Sequence, residues 1–169
     1  MKIEKNRIFA IIAGVIILIA DQAVKYVVWL NMCPDSENFI IGRIKVIPGV
    51  FHITYSENTG AVFGSFAGYT ALLSVFTALI LLVGIAVLLF WKMNSKLMCW
   101  SLTLVVFGGI GNLTDRVMRG FVIDFIDVCI VWPYIFNIAD SAVVIGVCLI
   151  ILNLLLDTIK EAKKKKQVS

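Results

Sequence analysis

Four long apolar blocks constrain this chain more than anything else in its sequence. They run from Ile8 to Leu30, Tyr69 to Trp91, Leu97 to Leu113 and Phe136 to Leu156. A helix needs roughly 20 residues to cross a hydrocarbon core of about 30 Å, so each block reads as a transmembrane span. Hydrophobic residues make up 60% of the chain and charged residues only 15%. That is too little charge to clothe a soluble surface. The expected fold is an all-α polytopic membrane protein, a single membrane-embedded domain over residues 1–169.

The first block follows Lys2, Lys5 and Arg7, as a signal peptide would. Asp21, Gln22 and Lys25 interrupt its later half, and no small-x-small cleavage site follows. Leu30-Asn31-Met32-Cys33 is only a loose lipobox, with Met32 where a small residue is required. The block therefore reads as a retained helix.

Residues 39–66 are mixed. Ile44 and Val46, then Phe51, Ile53 and Tyr55, alternate with Arg43, Lys45, His52 and Thr54, the period of half-buried strands. Pro48-Gly49 between the runs signals a turn. A small β-hairpin, or cradle, on the membrane surface is expected there. Around Val122–Ile126 the same alternation predicts another short strand.

Basic residues orient the helices. Lys2, Lys5, Arg7, Lys92, Lys96, Lys160 and Lys163 to Lys166 fall on one side, and only Arg43, Lys45, Arg116 and Arg119 on the other. Both ends are thus expected in the cytoplasm, with the hairpin and the 114–134 loop outside. The net charge of +4 collects at the termini without interleaved aromatics, which argues against a nucleic-acid partner. Cys33, Cys99, Cys129 and Cys148 are scattered and His52 is the sole histidine, so the spacing offers no metal centre. Cys33 and Cys129 fall on the same side, where a disulfide is feasible but not required by spacing.

Polar groups in a bilayer are costly, and each invites a functional reading. Asp21 and Lys25, four apart on one helical face, suit an internal ion pair or a supporting role at a site. Gly108-Gly109-Ile110-Gly111 suits close backbone approach, whether by helices or by a bound chain. Asn112 and Arg116 share a face if the helix continues, and both can bond a peptide backbone or a headgroup. Asp115-Arg116 reads equally as an interfacial salt bridge. Asp124 and Asp140 reach the same membrane depth. Two carboxylates sharing a desolvated site cannot easily both ionise, which yields one base and one acid. Alternatively, one solvates a loop and the other caps a helix.

The ordered blocks Asp21-Gln22-x-x-Lys25, Asn58-x-Gly60-Ala61-x-Phe63, Gly108-Gly109-x-Gly111-Asn112-x-x-Asp115-Arg116, Gly120-x-Val122-x-Asp124-Phe125 and Phe136-Asn137-x-Ala139-Asp140 resemble bacterial lipoprotein signal peptidase (signal peptidase II). The resemblance implies an aspartic endopeptidase of the bacterial plasma (inner) membrane, without metal or other cofactor. It implies diacylglyceryl-modified prolipoproteins as substrates, cut on the N-terminal side of the lipidated cysteine. Catalysis falls on Asp124 and Asp140, and substrate contact on Asn58, Asn112, Arg116 and Asn137. Asp21, Lys25, Gly60 and Asp115 are the supporting residues. Membrane lipids and globomycin-type inhibitors are the further expected partners, and a monomer the expected state. The rival classes fit less well. An ion pathway needs polar groups across the membrane, and a scaffold has no reason to gather them at one level.

Overall fold

The computed structural model describes residues 5–36, 42–60, 70–93, 95–130 and 134–168, with side chains to 165. Ala61 and Phe63 of the second motif block lie outside these residues. The elements run α1 (Lys5–Met32), β1 (Arg43–Ile47), β2 (Phe51–Asn58), α2 (Thr70–Phe90), α3 (Lys96–Arg119), β3 (Val122–Val128), β4 (Ile135–Phe136) and α4 (Ile138–Val168).

All four helices are long and apolar enough to cross a membrane. Their apolar side chains point outward: Phe9, Ile16, Leu72, Val83 and Val144 are all exposed. The charged side chains point inward instead, with Arg7, Asp21 and Lys25 buried on α1. This is the polarity expected when lipid is the solvent. At 1.5 Å per residue, α4 is about 46 Å long, more than a hydrocarbon core requires, so its lysine-rich end extends past the apolar span.

Helix ends are satisfied by specific partners. Arg7 donates to the carbonyls of Leu89 (3.1 Å) and Trp91 (2.7 Å), which covers the C-terminus of α2 and ties it to the start of α1. Ser95 caps α3 by accepting from the Met98 N–H at 3.2 Å, and meets Asn153 of α4 at 2.5 Å. Gly120, at φ 82°, supplies the left-handed residue that ends α3, its N–H on the Arg116 carbonyl. The third helix continues past the expected Leu113 to Arg119, with Asp115 buried in this extension and Val117 and Met118 exposed.

The glycine-rich stretch of α3 serves helix packing. Gly108 faces Ala139 and Val143 of α4, and Gly109 faces Leu81 of α2. At Gly111 a Cβ would stand 2.9 Å from Asp21 Oδ2 and 3.1 Å from Ala139 Cβ, so only glycine lets α1, α3 and α4 meet there.

The strands join in one antiparallel sheet of order β1-β2-β3-β4. The Pro48-Gly49 hairpin forms, and the expected strand over 122–126 extends to Val128 as the partner of β2. Ile123 and Phe125 pack with Val28 and Met32 of α1, with Ile53 and Tyr55 against them. Two details depart from the alternation. All five residues of β1 are exposed, because it is the outer edge and no described residue covers either face. His52, on the polar side of β2, is buried by Asp127 and Cys129. Phe136, expected to open the fourth span, lies in β4, and α4 starts two residues later. Cys33 and Cys129 are not joined, so the disulfide admitted by sequence does not form.

Candidate active site

Asn137 sits between β4 and α4 and organises the site. Its side-chain oxygen accepts from the Asp140 N–H at 2.8 Å, while its own N–H donates to Asp140 Oδ2 at 3.2 Å. This is a reciprocal capping box built from Asn-x-x-Asp. It places Asp140 in the first turn of α4, where the helix dipole favours a carboxylate. The cap-forming alternative for Asp140 is thus realised, together with its place in the site.

The same Asn137 reaches across to the sheet. Its Nδ2 donates to Asp124 Oδ1 at 2.6 Å and to Asn112 Oδ1 at 3.2 Å. Asn58, the last residue of β2, donates to the other Asp124 oxygen at 3.0 Å. Its own oxygen accepts from the Gly60 N–H, which fixes the amide orientation. Asn112 donates from Nδ2 to Asp140 Oδ1 at 2.7 Å. Asp124 and Asp140 are therefore held in one network by three asparagines from β2, α3 and the α4 cap. Asp124 is buried and Asp140 half-buried. Burial, then the nearby Asp140 charge, pushes the Asp124 carboxyl up to about 7, against the opposing hydrogen bonds of Asn58 and Asn137.

Behind this network lies a charge cluster in which Asp21, Lys25 and Asp115 are fully buried. Lys25 contacts Asp21 at 2.9 Å, Asp115 at 2.8 Å and Asn112 Oδ1 at 3.0 Å. Arg119 adds a second contact to Asp115 at 2.6 Å, so two cations face two carboxylates. Asp21 also accepts from the Ala139 N–H of α4 at 2.9 Å. The Asp21–Lys25 pair read from sequence forms, and it contacts Asn112 and the Ala139 N–H. Asp115 pairs with Lys25 and Arg119, so the expected Asp115–Arg116 salt bridge gives way. Arg116 instead donates to the Gly60 carbonyl at 3.0 Å, leaving its buried Nε without a partner among the described residues. Sequence reasoning missed Arg119, although its four-residue spacing from Asp115 was the available signal.

The sheet assembles one group that spacing did not suggest. His52 and Asp127 are paired across β2 and β3, and Cys129 lies two residues beyond Asp127. This group lies on the opposite strand alternation from Asp124.

Comparison with known proteins identifies the family. The family model described as Signal peptidase (SPase) II matches residues 12–156. The lipoprotein signal peptidase of Pelotomaculum thermopropionicum is 37% identical, covering 95% of this chain and 99% of its own length. That of Moorella thermoacetica is 36% identical over 86% of this chain and 92% of its own. A solved bacterial membrane enzyme, 36% identical, superposes with a TM-score of 0.77 over 89% of both chains. The chain is a multi-pass membrane peptidase and belongs to the signal peptidase II family, which removes signal peptides from lipoproteins.

Proposed function

We propose that this peptidase is an aspartic endopeptidase in which Asp124 and Asp140 share base and acid roles. Its substrates are diacylglyceryl-modified prolipoproteins, cut on the N-terminal side of the lipidated cysteine. The observation carrying this reading is the single network in which Asn137 bonds both carboxylates. Burial holds one proton on the pair until pH approaches about 7. One carboxylate takes a proton from water as it attacks the scissile carbonyl, and the other protonates the carbonyl oxygen. As the C–N bond breaks, the proton taken from water passes to the departing amine, and a hydroxyl of the tetrahedral intermediate returns a proton to the other carboxylate.

Asn58, Asn112, Arg116 and Asn137 are the proposed substrate-contacting residues. The buried Nε of Arg116, without a partner among the described residues, is the donor for this purpose. Asp21, Lys25, Gly60 and Asp115 position them. A substrate with two acyl chains and an apolar signal helix stays in the bilayer, so its protease works at the interface. The sheet is placed to hold the peptide while the lipid tails remain in the membrane. The proposed setting is the bacterial inner membrane, with both termini cytoplasmic and the site at the outer face. Globomycin-type inhibitors compete there, and the monomer is the active unit.

The test is cleavage by detergent-purified protein of a prolipoprotein peptide with and without the diacylglyceryl group. Cleavage is expected only with the lipid. Equal turnover of both peptides contradicts the substrate assignment.

A further inference from the structure

His52, Asp127 and Cys129 form a cluster the peptide-cleaving site does not use. Cys129 Sγ lies 3.2 Å from His52 Nδ1 and 3.4 Å from Asp127 Oδ1. His52 Nδ1 lies 3.8 Å from Asp127 Oδ2. One ligand atom from each residue falls within 4.8 Å of the others. Zinc bonds of about 2.0–2.3 Å in tetrahedral geometry set ligand atoms roughly 3.3–3.7 Å apart, the spacing approached here.

The strands create this convergence. His52 and Asp127 are direct partners across β2 and β3, and the i, i+2 relation returns Cys129 to the Asp127 side of the chain. The Cys129 N–H donates to the Val50 carbonyl at 3.0 Å, which pins the end of β3 beside the hairpin. His52 is buried and Cys129 exposed, so the cluster has a rigid floor and an open side. Arg43 (3.2 Å) and Thr54 (3.0 Å) both engage Asp127 Oδ2, leaving Oδ1 turned to the thiol. A hydrogen bond on one carboxylate oxygen orients the other, as outer partners do around metals. The arrangement is not a nucleophile–base–orienter triad. Asp127 and Cys129 both approach the same imidazole nitrogen, while Nε2 has no partner among the described residues.

We propose that His52, Asp127 and Cys129 form a three-ligand site for a zinc-type divalent cation on the sheet, separate from the Asp124–Asp140 network. Thiolate, imidazole and carboxylate are a donor set suited to zinc, with water completing the tetrahedron. The bound ion clips β2 to the end of β3 and stabilises the sheet by mass action. Cleavage does not require it.

The test is a titration of metal-free, detergent-solubilised full-length protein with Zn²⁺ alone, against a chromophoric chelator. Wild type is expected to bind one equivalent. Cys129→Ser, at an exposed position, should weaken binding at least about tenfold, the scale on which even an outer-shell partner acts. Cys148→Ser should bind as wild type. Zn²⁺ should raise the melting temperature of wild type and Cys148→Ser but not of Cys129→Ser, and Co²⁺ should give a sulfur-to-cobalt charge-transfer band only when Cys129 is present. Peptide cleavage by Cys129→Ser should match wild type. Absence of one-equivalent binding by wild type, or binding that survives Cys129→Ser unchanged, overturns the proposal.

Discussion

Asn112 presents its amide nitrogen to Asp140 at 2.7 Å because its oxygen is occupied by Lys25 at 3.0 Å. An asparagine amide is otherwise free to flip. The buried ammonium thus sets which group faces the carboxylate, and so joins the charge cluster to the dyad.

Removing that ammonium has two consequences. Lys25→Met keeps much of the volume but leaves buried Asp21 with no ion-pair partner, and Asp115 with Arg119 alone, among the described residues. Breaking a buried pair in this way costs on the order of 3–5 kcal/mol. The expected result is a large drop in melting temperature in detergent, with little cleavage from the remaining folded fraction. An unchanged melting temperature would remove Lys25 from the structural account.

The dyad predicts a pH dependence. Asp124 carries a carboxyl raised from 3.8 to about 7, so it holds its proton below that pH and loses it above. In the proposed mechanism the one-proton form of the pair is the active one, so kcat/KM should fall as pH rises through about 7. A rate that climbs steadily from pH 6 to 9 would contradict a retained proton.

Arg116 offers a test of geometry against charge. Arg116→Lys keeps the charge but loses the planar fork that reaches Gly60 and leaves Nε for a ligand. Turnover should drop by roughly tenfold or more, the scale of a lost charge-assisted hydrogen bond of about 1.5–3 kcal/mol. Wild-type kinetics with lysine would reduce Arg116 to a topological charge.

Much of this was legible in the sequence, for physical reasons. The spans were readable because lipid imposes length and apolarity on each helix. The hairpin was readable because Pro48-Gly49 divides two alternating runs. The meeting of Asp124 and Asp140 in one network was reachable because a carboxylate near a bilayer is expensive without a purpose, and the family resemblance names the same two residues. Tertiary partners were not readable. Helical spacing favours Asp115–Arg119 over the adjacent Asp115–Arg116, but the pairing of Asp115 with Lys25 depends on which side of α3 meets α1. The exposure of β1 and the burial of His52 likewise depend on strand order, which sequence periodicity does not encode. His52, Asp127 and Cys129 fall together only through the β2–β3 register.

Orientation is tested with reporter fusions. Fusions after Ser95 and Ser169 should report cytoplasm, and one after Glu37 the opposite side. A C-terminal fusion reporting the outer side would put the dyad on the wrong face.

The most direct measurement is cleavage of lipidated substrate by Asp124→Asn and Asp140→Asn, each checked for folding by its melting temperature. An amide cannot take a proton from water, so each variant should lose activity by several orders of magnitude, and the double variant should be little worse than either single one. Both should still retain lipidated substrate or globomycin, because asparagine preserves shape and part of the hydrogen bonding. Asp127→Asn, bonded to Thr54 and Arg43 on the other alternation of β3, should stay active. Chelators should leave wild-type cleavage intact. Substantial activity in a folded Asp124→Asn or Asp140→Asn variant would contradict the two-carboxylate mechanism.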